Sequence, residues 1–370
     1  MMFKLPDYIP PDFTTPHFLS APDVQTVSAP SSGVVPDNFY ATSIYPEYFK
    51  INGHWVLITE SRMDCVVVIR DNIPHAVEFR NIKKGDAVVI GRKDTGEMGI
   101  YLYHTAFDRN QDTDDNNFAF RTSSSRETAF SSDYDRLYSL LEHEKEHGYI
   151  VWVLGPAVSF DYDSRNAMSA LISNGYVDAL FAGNALATHD LEASFFHTAL
   201  GQDIYSKQCL QNGHYHHIET INRARSCGSI EQLIENYNIH DGIVQACVKH
   251  KVPMVLAGSI RDDGPLPGVY ADVYAAQDAM RAHTQKATTV ICLATQLHTI
   301  ATGNMTSSYQ RVDGVIRPVY FYTVDISEFV VNKLKDRGSL SSESFITNIQ
   351  DFVVHIKKHL VPQDDLTLPE

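Results

Sequence analysis

The sequence predicts an α/β protein in which a parallel sheet, covered by helices on both faces, follows a small antiparallel β domain. Two observations predict this fold class. Up to about residue 107 apolar and polar residues alternate between Asn, Gly and Asp turns, as in half-buried antiparallel strands. From about residue 130 short apolar runs alternate with helical patterns, which is typical of parallel strands buried on both faces. A chain of 370 residues has room for both parts.

The amino-terminal part of the chain divides into three segments. Residues 1–36 hold seven of the 16 prolines, which favours an extended arm lying on another domain. Residues 37–107 form the predicted β-rich domain, and Asn52-Gly53 is a strong hairpin signal inside it. Residues 108–130 are rich in Asp, Asn and Ser, so we expect a polar linker there.

Residues 131–370 form the predicted parallel α/β domain. Tyr134, Leu137 and Leu141 have helical spacing in a segment that ends near Gly148, and a second helix begins at a Ser or Asp cap and ends at Gly175. We expect two or three helices between residues 184 and 250. Six apolar runs predict the strands, and further helices lie between them. The runs are YIVWVL (149–154), YVDALFAG (176–183), VPMVLAG (252–258), ATTVICLAT (287–295), PVYFYTVDI (318–326) and SFITNI (344–349).

Charge and cysteine content narrow the class of partner and the compartment. The chain has 30 Lys+Arg against 45 Asp+Glu, a formal charge of -15, which argues against nucleic acid or an anionic membrane as a partner. Its five cysteines are odd in number and form no C-x-x-C pair, which favours a reducing compartment. The chain shows neither a signal peptide nor an apolar run of membrane-spanning length, so we expect a cytoplasmic protein.

Polar and glycine-rich loops follow most of the predicted strands, at the sheet edge where α/β proteins bind ligands. The run GHYHH supplies His214, His216 and His217, which could ligate a metal, move protons or contact a polar substrate, or stabilise the start of a helix. Metal ligation would need carboxylate partners, for which the candidates are Asp190, Asp262 and Asp263.

Two of these carboxylates are adjacent in the loop GSIRDDGPLP, directly after a buried strand. Asp262 and Asp263 either belong to a solvated surface loop or bind a cationic amine, since a desolvated ammonium group needs a counter-charge.

The pattern of a nucleotide-binding sheet is present only in part. Asp325 ends an apolar strand, where it either binds a ribose hydroxyl or caps the next helix. The chain contains no G-x-G-x-x-G, although Gly155-Pro156 could allow a backbone approach to a pyrophosphate or form a plain turn. In the loop GNALATHD, Asn184, His189 and Asp190 are polar, and Asn184 alone could cap the following helix.

Together these strings resemble one family, the archaeal-type NAD-dependent ornithine cyclodeaminases of the LOR/SDH-like group, which also form the C-terminal module of cyanobacterial arginine dihydrolases. The similarity runs in order from about residue 27 to residue 350. The motifs that carry it include FYATSIYPEYFKINGHWV, GYIVWVLGPAV, GYVDALFAGNALATHDLE, GHYHHIETINRAR, VPMVLAGSIRDDGPLPGV and LATQLHTIATGNM.

The resemblance implies a Rossmann-like domain that binds NAD and a redox-neutral reaction. NAD would accept a hydride from an amine-bearing carbon of ornithine, the imine would cyclise with loss of ammonia, and the hydride would return to give proline. His214, His216, His217, Asp262 and Asp263 are the predicted catalytic residues. The predicted NAD contacts are Gly155, Asn184, Ala185, Asp190, Gly258, His298, Asn304 and Asp325. A carboxylate at Asp325 would favour NAD over NADP, and the resemblance also implies a homo-oligomer.

Three departures from the family pattern keep other functions open. GPAVSFDYD replaces the family's Val-His-Thr-Gly continuation after GPAV, Tyr215 stands where the family has Arg, and the upstream domain of longer members is replaced by the Pro-rich arm. The alternatives are an NAD-dependent dehydrogenase or lyase acting on another amino acid or opine-like amine, and an inactive NAD-binding paralogue. A metal-dependent hydrolase built on the three histidines is a further alternative.

Overall fold

The computed structural model describes residues 3–107, 131–262, 264–327, 330 and 341–362. The predicted linker at residues 108–130 lies outside the described residues, as does most of the helix predicted after Asp325.

Two antiparallel sheets form the first part of the chain and confirm the predicted β-rich part. One sheet has the strand order β1-β6-β4-β5 and the other has the order β3-β2-β7. The strands are β1 (Gln25–Ser28), β2 (Glu47–Ile51), β3 (His54–Leu57), β4 (Val66–Arg70), β5 (Ile73–Val77), β6 (Ala87–Ile90) and β7 (Ile100–Leu102). The turn between β2 and β3 is the expected one, because Asn52 and Gly53 adopt φ values of 50° and 78°.

The proline-rich segment is more structured than a simple arm. It contains the short helix α1 (Pro16–Ser20), and β1 pairs in antiparallel register with β6. The ammonium group of Lys50 on β2 donates hydrogen bonds to the carbonyls of Phe18, Leu19 and Ala21, at 2.6–3.1 Å. These contacts join residues 16–28 to the β sheets.

A six-stranded parallel sheet organises the rest of the chain, as predicted. Its strands are β8 (Ile150–Leu154), β9 (Ala179–Gly183), β12 (Met254–Ala257), β13 (Thr289–Leu293), β16 (Tyr320–Asp325) and β17 (Ser341–Ile346). Their order is β12-β9-β8-β13-β16-β17. Numbered along the chain this is 3-2-1-4-5-6, the order of the Rossmann fold. Four short strands pair separately, and they are β10 (Thr198–Ala199), β11 (Gln202–Asp203), β14 (Tyr309–Val312) and β15 (Val315–Pro318).

Helices cover both faces of this sheet. They are α2 (Ser131–His147), α3 (Tyr162–Ser173), α4 (Asn184–Phe196), α5 (His216–Cys227), α6 (Ile230–Tyr237), α7 (Ile243–His250), α8 (Val273–Thr284), α9 (Gln296–Met305) and α10 (Ile349–Leu360). The segment 184–250 therefore holds four helices rather than two or three. The side chains of Trp152 and Leu154 lie in one apolar cluster with α3, α4 and α10, and those of Val151 and Val153 lie in a second cluster with α8 and α9. This alternation explains why β8 is apolar throughout.

The β sheets contact the Rossmann-fold part through α8. The Arg281 guanidinium donates hydrogen bonds to the carbonyl of Glu60 in the β-rich part and to the carbonyl of Met305 at the end of α9. Arg80 pairs with Asp278 on the same helix. The Arg281 contacts lie at the end of α8 and α9 that faces away from the carboxyl edge of the parallel sheet, and Asp278 lies midway along α8.

Candidate active site

The strand order reverses between β8 and β13, and a Rossmann fold binds its ligand in the crevice above this point. Gly155 follows β8 here, and its N–H donates to the carbonyl of Leu293 at 2.8 Å. A Cβ at position 155 would lie 2.1 Å from the carbonyl oxygen of Ala294. The close approach of these two strand ends therefore requires glycine.

His298, a predicted NAD contact, lies over this crevice. It belongs to the first turn of α9, after β13, yet its Cε1 atom lies 3.3 Å from where a Cβ of Gly183 would stand at the end of β9. Since β8 separates β13 from β9 in the sheet, the imidazole spans the carboxyl end of β8. Burial lowers the pKa of His298, so this ring is neutral at pH 7.

The helix N-termini at this edge differ in how they are capped. Asp161 caps α3 by accepting hydrogen bonds from the N–H groups of Asp163 and Ser164 at 3.1 and 3.3 Å. No side chain in the described part of the chain caps α4 or α9. The N-terminus of α3 thus already holds a carboxylate, whereas those of α4 and α9 keep the unpaired N–H groups and the positive dipole end that favour an anion.

Asn184 and Ala185 form the first turn of α4. The Asn184 side chain does not cap its own helix, which was one expectation, because the N-cap position is Gly183. Instead its Oδ1 accepts a hydrogen bond from the Leu266 N–H at 3.0 Å, and this bond ties the loop after β12 to α4. Gly258 lies in that loop, where its N–H donates to the carbonyl of Tyr270 at 2.9 Å.

Asp190 holds helices together and has no free oxygen for a cofactor. Its side chain is 1% exposed and pairs with Arg165 at 2.7 Å. Its carboxylate also accepts the N–H groups of Ile243 and Val244, at 3.0 and 2.8 Å, which are the first two residues of α7. Because both oxygens of this buried carboxylate already accept hydrogen bonds, the environment favours a structural role for Asp190 over the predicted contact with NAD.

Two other predicted NAD contacts lie in different surroundings. The Asp325 carboxylate accepts the Ser327 N–H at 2.9 Å, which agrees with its alternative role as a local cap. Asn304 lies in the last turn of α9, roughly 12 Å along the helix from Gln296. Its Oδ1 is buried without a hydrogen-bond partner among the described residues. Asn304 therefore lies away from the carboxyl edge and close to Met305, which Arg281 joins to the β-rich part.

Among the described residues, Asp262 of the predicted acidic pair makes no hydrogen bond or ion pair with the predicted histidines. Asp262 accepts the Ser259 N–H at 2.8 Å within its own loop, and Asp263 lies outside the described residues. A guanidinium nitrogen of Arg225 lies 2.9 Å from where a Cβ of Gly264 would stand, so this loop packs beside Arg225 on α5. Arg225 follows His217 by eight residues, or roughly 12 Å of helix.

The three histidines of the GHYHH run have separate environments. His214 is exposed and its ring lies 4.2 Å from that of Tyr215. The Nδ1 atom of His216 lies 2.8 Å from the Thr198 hydroxyl. The Nδ1 atom of His217 is buried without a partner among the described residues, and burial lowers the pKa of this imidazole. The three rings therefore differ in exposure and in hydrogen-bond partner.

Sequence reasoning missed one residue of this cluster, Glu192, and assigned no role to another, His189. His189 and Glu192 lie three positions apart on α4, and the His189 Nδ1 atom is 2.7 Å from a Glu192 oxygen. The ring of His189 lies 6.1 Å from that of His217 and 5.5 Å from that of Phe160, just after the turn that follows β8. The H-x-x-E spacing in GNALATHDLE was the available signal.

A metal site is not supported by the described residues. Within them no three His, Cys, Asp or Glu side chains converge so that they could hold a metal ion. The metal-dependent hydrolase alternative therefore has no set of ligands in the described part of the chain.

None of the helices in the described part is both long and apolar enough to cross a membrane.

The fold and the crevice define this protein as a member of the Rossmann class with a β-rich region before the nucleotide-binding sheet. A family model described as "Arginine dihydrolase ArgZ-like, C-terminal, Rossmann fold" matches residues 137–356, and one described as the "first region" of the same module matches residues 46–129. The chain belongs to this ArgZ-like C-terminal family, as its motifs indicated.

Known relatives have a consistent description. An ornithine cyclodeaminase of Methanopyrus kandleri is 37% identical over 91% of this chain and 78% of its own length. The crystal structure of a conserved putative LOR/SDH protein from Methanococcus maripaludis covers 92% of this chain and 98% of its own, at 33% identity and a TM-score of 0.82. A ternary complex of AgrE with ornithine and NAD+ covers 92% of this chain and 46% of its own, at 32% identity and a TM-score of 0.58.

Proposed function

We propose that this protein is an NAD-dependent ornithine cyclodeaminase that converts ornithine, or a closely related basic amino acid, to proline or a cyclic imino acid with release of ammonia. The observation that carries the proposal is the relationship over nearly the whole chain to ornithine cyclodeaminases, at 37% identity for the Methanopyrus kandleri protein. The ternary complex of the relative AgrE with ornithine and NAD+ supports the same cofactor and substrate.

Two features of the carboxyl edge of the sheet support a dinucleotide site there. The uncapped N-termini of α4 and α9 flank the crevice and offer N–H groups to a pyrophosphate. Asn184, Ala185, Gly258 and His298 would hold the cofactor, with Gly155 allowing the strand ends to approach it closely. When bound, NAD would supply a reversible hydride acceptor for the amine-bearing carbon. Asp325 is a proposed ribose contact, whereas Asp190, whose buried carboxylate binds Arg165 and the start of α7, is proposed to be structural.

The residues of the chain would manage protons and charge. An ammonium group must lose a proton before its carbon can give up a hydride, and a neutral imidazole near pH 7 can accept that proton. The histidines at positions 214, 216 and 217 remain the proposed groups for this task. Asp262 and Asp263 remain proposed partners for a substrate ammonium, although the contact of their loop with Arg225 makes a direct meeting with His217 less favourable.

A substrate screen tests the proposal. Purified protein is incubated with NAD+ and, separately, with ornithine, lysine and arginine, and both ammonia and the cyclic product are measured. We expect ornithine to give ammonia and proline in equal amounts. If another amine is turned over and ornithine is not, that amine is the substrate and the proposal for ornithine is wrong. If the protein binds NAD tightly but releases ammonia from none of the amines, it is an inactive paralogue.

A further inference from the structure

Glu192 is a buried carboxylate with every acceptor position in use. Its Oε1 accepts the Thr198 hydroxyl at 2.8 Å and the Gly201 N–H at 3.0 Å. Its Oε2 accepts the Leu200 N–H at 3.2 Å and lies 2.7 Å from His189 Nδ1. Burial opposes ionisation, but the hydrogen bonds from His189, Gly201 and Thr198 outweigh it and hold the pKa of Glu192 below its usual range. The group is therefore ionised and cannot touch a substrate.

This carboxylate fixes the tautomer of His189. An ionised carboxylate only accepts hydrogen bonds, so His189 must carry a proton on Nδ1 and donate it to Glu192. In the neutral ring the lone pair is then on Nε2. The Nε2 atom has no hydrogen-bond partner among the described residues, and the side chain is 9% exposed. His189 thus presents one basic nitrogen on a ring that cannot turn without breaking its bond to Glu192.

Glu192 also fixes the tautomer of His216 through Thr198. The Thr198 hydroxyl has one proton, which it donates to Glu192. Its contact with His216 Nδ1 at 2.8 Å must therefore have His216 as the donor. The His216 ring is held in addition by stacking on Phe196, at a centroid distance of 4.4 Å. One buried carboxylate thereby orients two imidazoles in the same tautomer.

His189 also has a suitable position. It lies between Phe160, which follows the turn after β8, and His217 on α5, with ring distances of 5.5 and 6.1 Å. It is five residues after Asn184, the start of the uncapped helix at the crevice. His189 therefore lies between the segment that follows β8 and the histidine cluster.

The proton balance of the proposed reaction requires more than one base. Ornithine carries two ammonium groups and a carboxylate, and its products are zwitterionic proline and an ammonium ion, so net charge is conserved. Before the ring closes, one N–H proton must leave the ammonium on the carbon that is oxidised, and a second must leave the attacking amine. One proton later returns to the proline nitrogen, and the other leaves with ammonia as ammonium.

We propose that His189 is the catalytic base that takes the first of these protons on Nε2, and that Glu192 is the positioning residue that holds its tautomer. The proposal rests on the proposed function. In the step itself an ammonium N–H bond breaks, an N–H bond to Nε2 forms, and the amine keeps the electron pair. Glu192 stabilises the imidazolium that results, as a buried carboxylate does for a histidine in a catalytic triad. His217 is then free to accept the second proton.

Several charged and titratable groups surround this base. Glu192 faces it on α4 and His217 faces it from α5, while His214 lies near His217 and His216 is joined to Glu192 through Thr198. Glu192 is the anion among them, and its negative charge stabilises the imidazolium that forms when His189 takes the proton.

The first test is His189→Asn. The amide N–H of asparagine can replace Nδ1 as donor to Glu192, but nothing replaces Nε2. We expect kcat to fall by about 10²–10⁴, while KM for ornithine and Kd for NAD+ stay within about threefold. His250→Asn, on the exposed end of α7, is the matched control and should retain wild-type turnover. Turnover of His189→Asn within about threefold of wild type would overturn the assignment.

The second test separates the positioning role from the reaction. Nitrogen-15 NMR of histidine-labelled protein should show His189 and His216 protonated on Nδ1, and Glu192→Gln should disturb both tautomers. Glu235→Gln on α6 is the control. In turnover assays Glu192→Gln should lower kcat. If His189 in the wild type is protonated on Nε2 instead of Nδ1, Glu192 does not hold its tautomer, and the positioning role is overturned whether or not the protein turns over ornithine. A wild-type protein that shows the expected tautomers but no ornithine turnover would overturn the proposed function and retain the positioning role.

Discussion

The substitution Asp190→Asn tests most sharply whether this residue is structural or binds NAD. It keeps the shape of the side chain but removes the charge that faces Arg165 at 2.7 Å. The two carboxylate oxygens accept the first two N–H groups of α7, and the substitution replaces one of these oxygens by an NH2 group, which cannot accept a hydrogen bond. Arg165 keeps Asp241 as a partner, but that aspartate is 52% exposed and compensates only in part.

The expected cost follows from the burial of the pair. Breaking a buried ion pair by removing one partner costs about 3–5 kcal/mol, which is a large part of the roughly 5–15 kcal/mol that stabilises a native domain. Urea unfolding followed by tryptophan fluorescence should therefore show a clearly lower midpoint, while Kd for NAD+ stays within about threefold of wild type in the folded baseline. Asp163→Asn, exposed in the first turn of α3, is the control and should change the unfolding free energy by less than about 1 kcal/mol.

One result would refute this reasoning. If Asp190→Asn unfolds at the wild-type midpoint but binds NAD+ about tenfold or more weakly, the carboxylate contacts the cofactor and the prediction from sequence was right.

Three further predictions follow from individual groups. Burial raises the pKa of Glu47 from 4.5 to about 7 in the folded state, so the folded form favours the proton. This stabilisation of the wild type is complete below pH 4.5 and is lost as pH rises through 7. Glu47→Gln has no carboxyl to titrate, so its unfolding free energy relative to wild type should rise by about 3 kcal/mol between pH 4.5 and pH 8. Chemical denaturation of both proteins at the two pH values measures this difference. Gly155→Ala should lower the unfolding free energy by at least about 1–3 kcal/mol, because its Cβ would meet backbone; an unchanged melting temperature would contradict this. Asp262→Asn should raise KM for ornithine and leave Kd for NAD+ unchanged if Asp262 binds the substrate ammonium, and unchanged kinetics would make it a loop residue.

The elements predicted correctly from sequence are those with a local signal. The run YIVWVL is apolar throughout because β8 packs on both faces, and Asn52-Gly53 adopts the positive φ values that its composition favours. The short pairs β10–β11 and β14–β15 have two to four residues per strand and no periodicity, so they escaped prediction.

The candidate site was predictable in part, for a similar reason. Loops at strand ends could be placed at one edge because parallel strands share a direction. The role of Asp190 could not be predicted, since its partners lie 25 and 53 residues away in sequence. The same holds for Glu192, whose capacity to orient two histidines depends on Thr198 and on the fold of residues 198–216.

The central claim is a redox-neutral conversion of ornithine to proline, and isotope retention tests it most directly. The protein is incubated with a catalytic amount of NAD+ and ornithine deuterated at the amine-bearing carbons, and proline, ammonia and reduced cofactor are measured. The account predicts that proline keeps its deuterium, that one ammonia forms per proline and that no reduced cofactor accumulates. Loss of deuterium to solvent, reduced cofactor in proportion to product, or proline formation without NAD+ would contradict it.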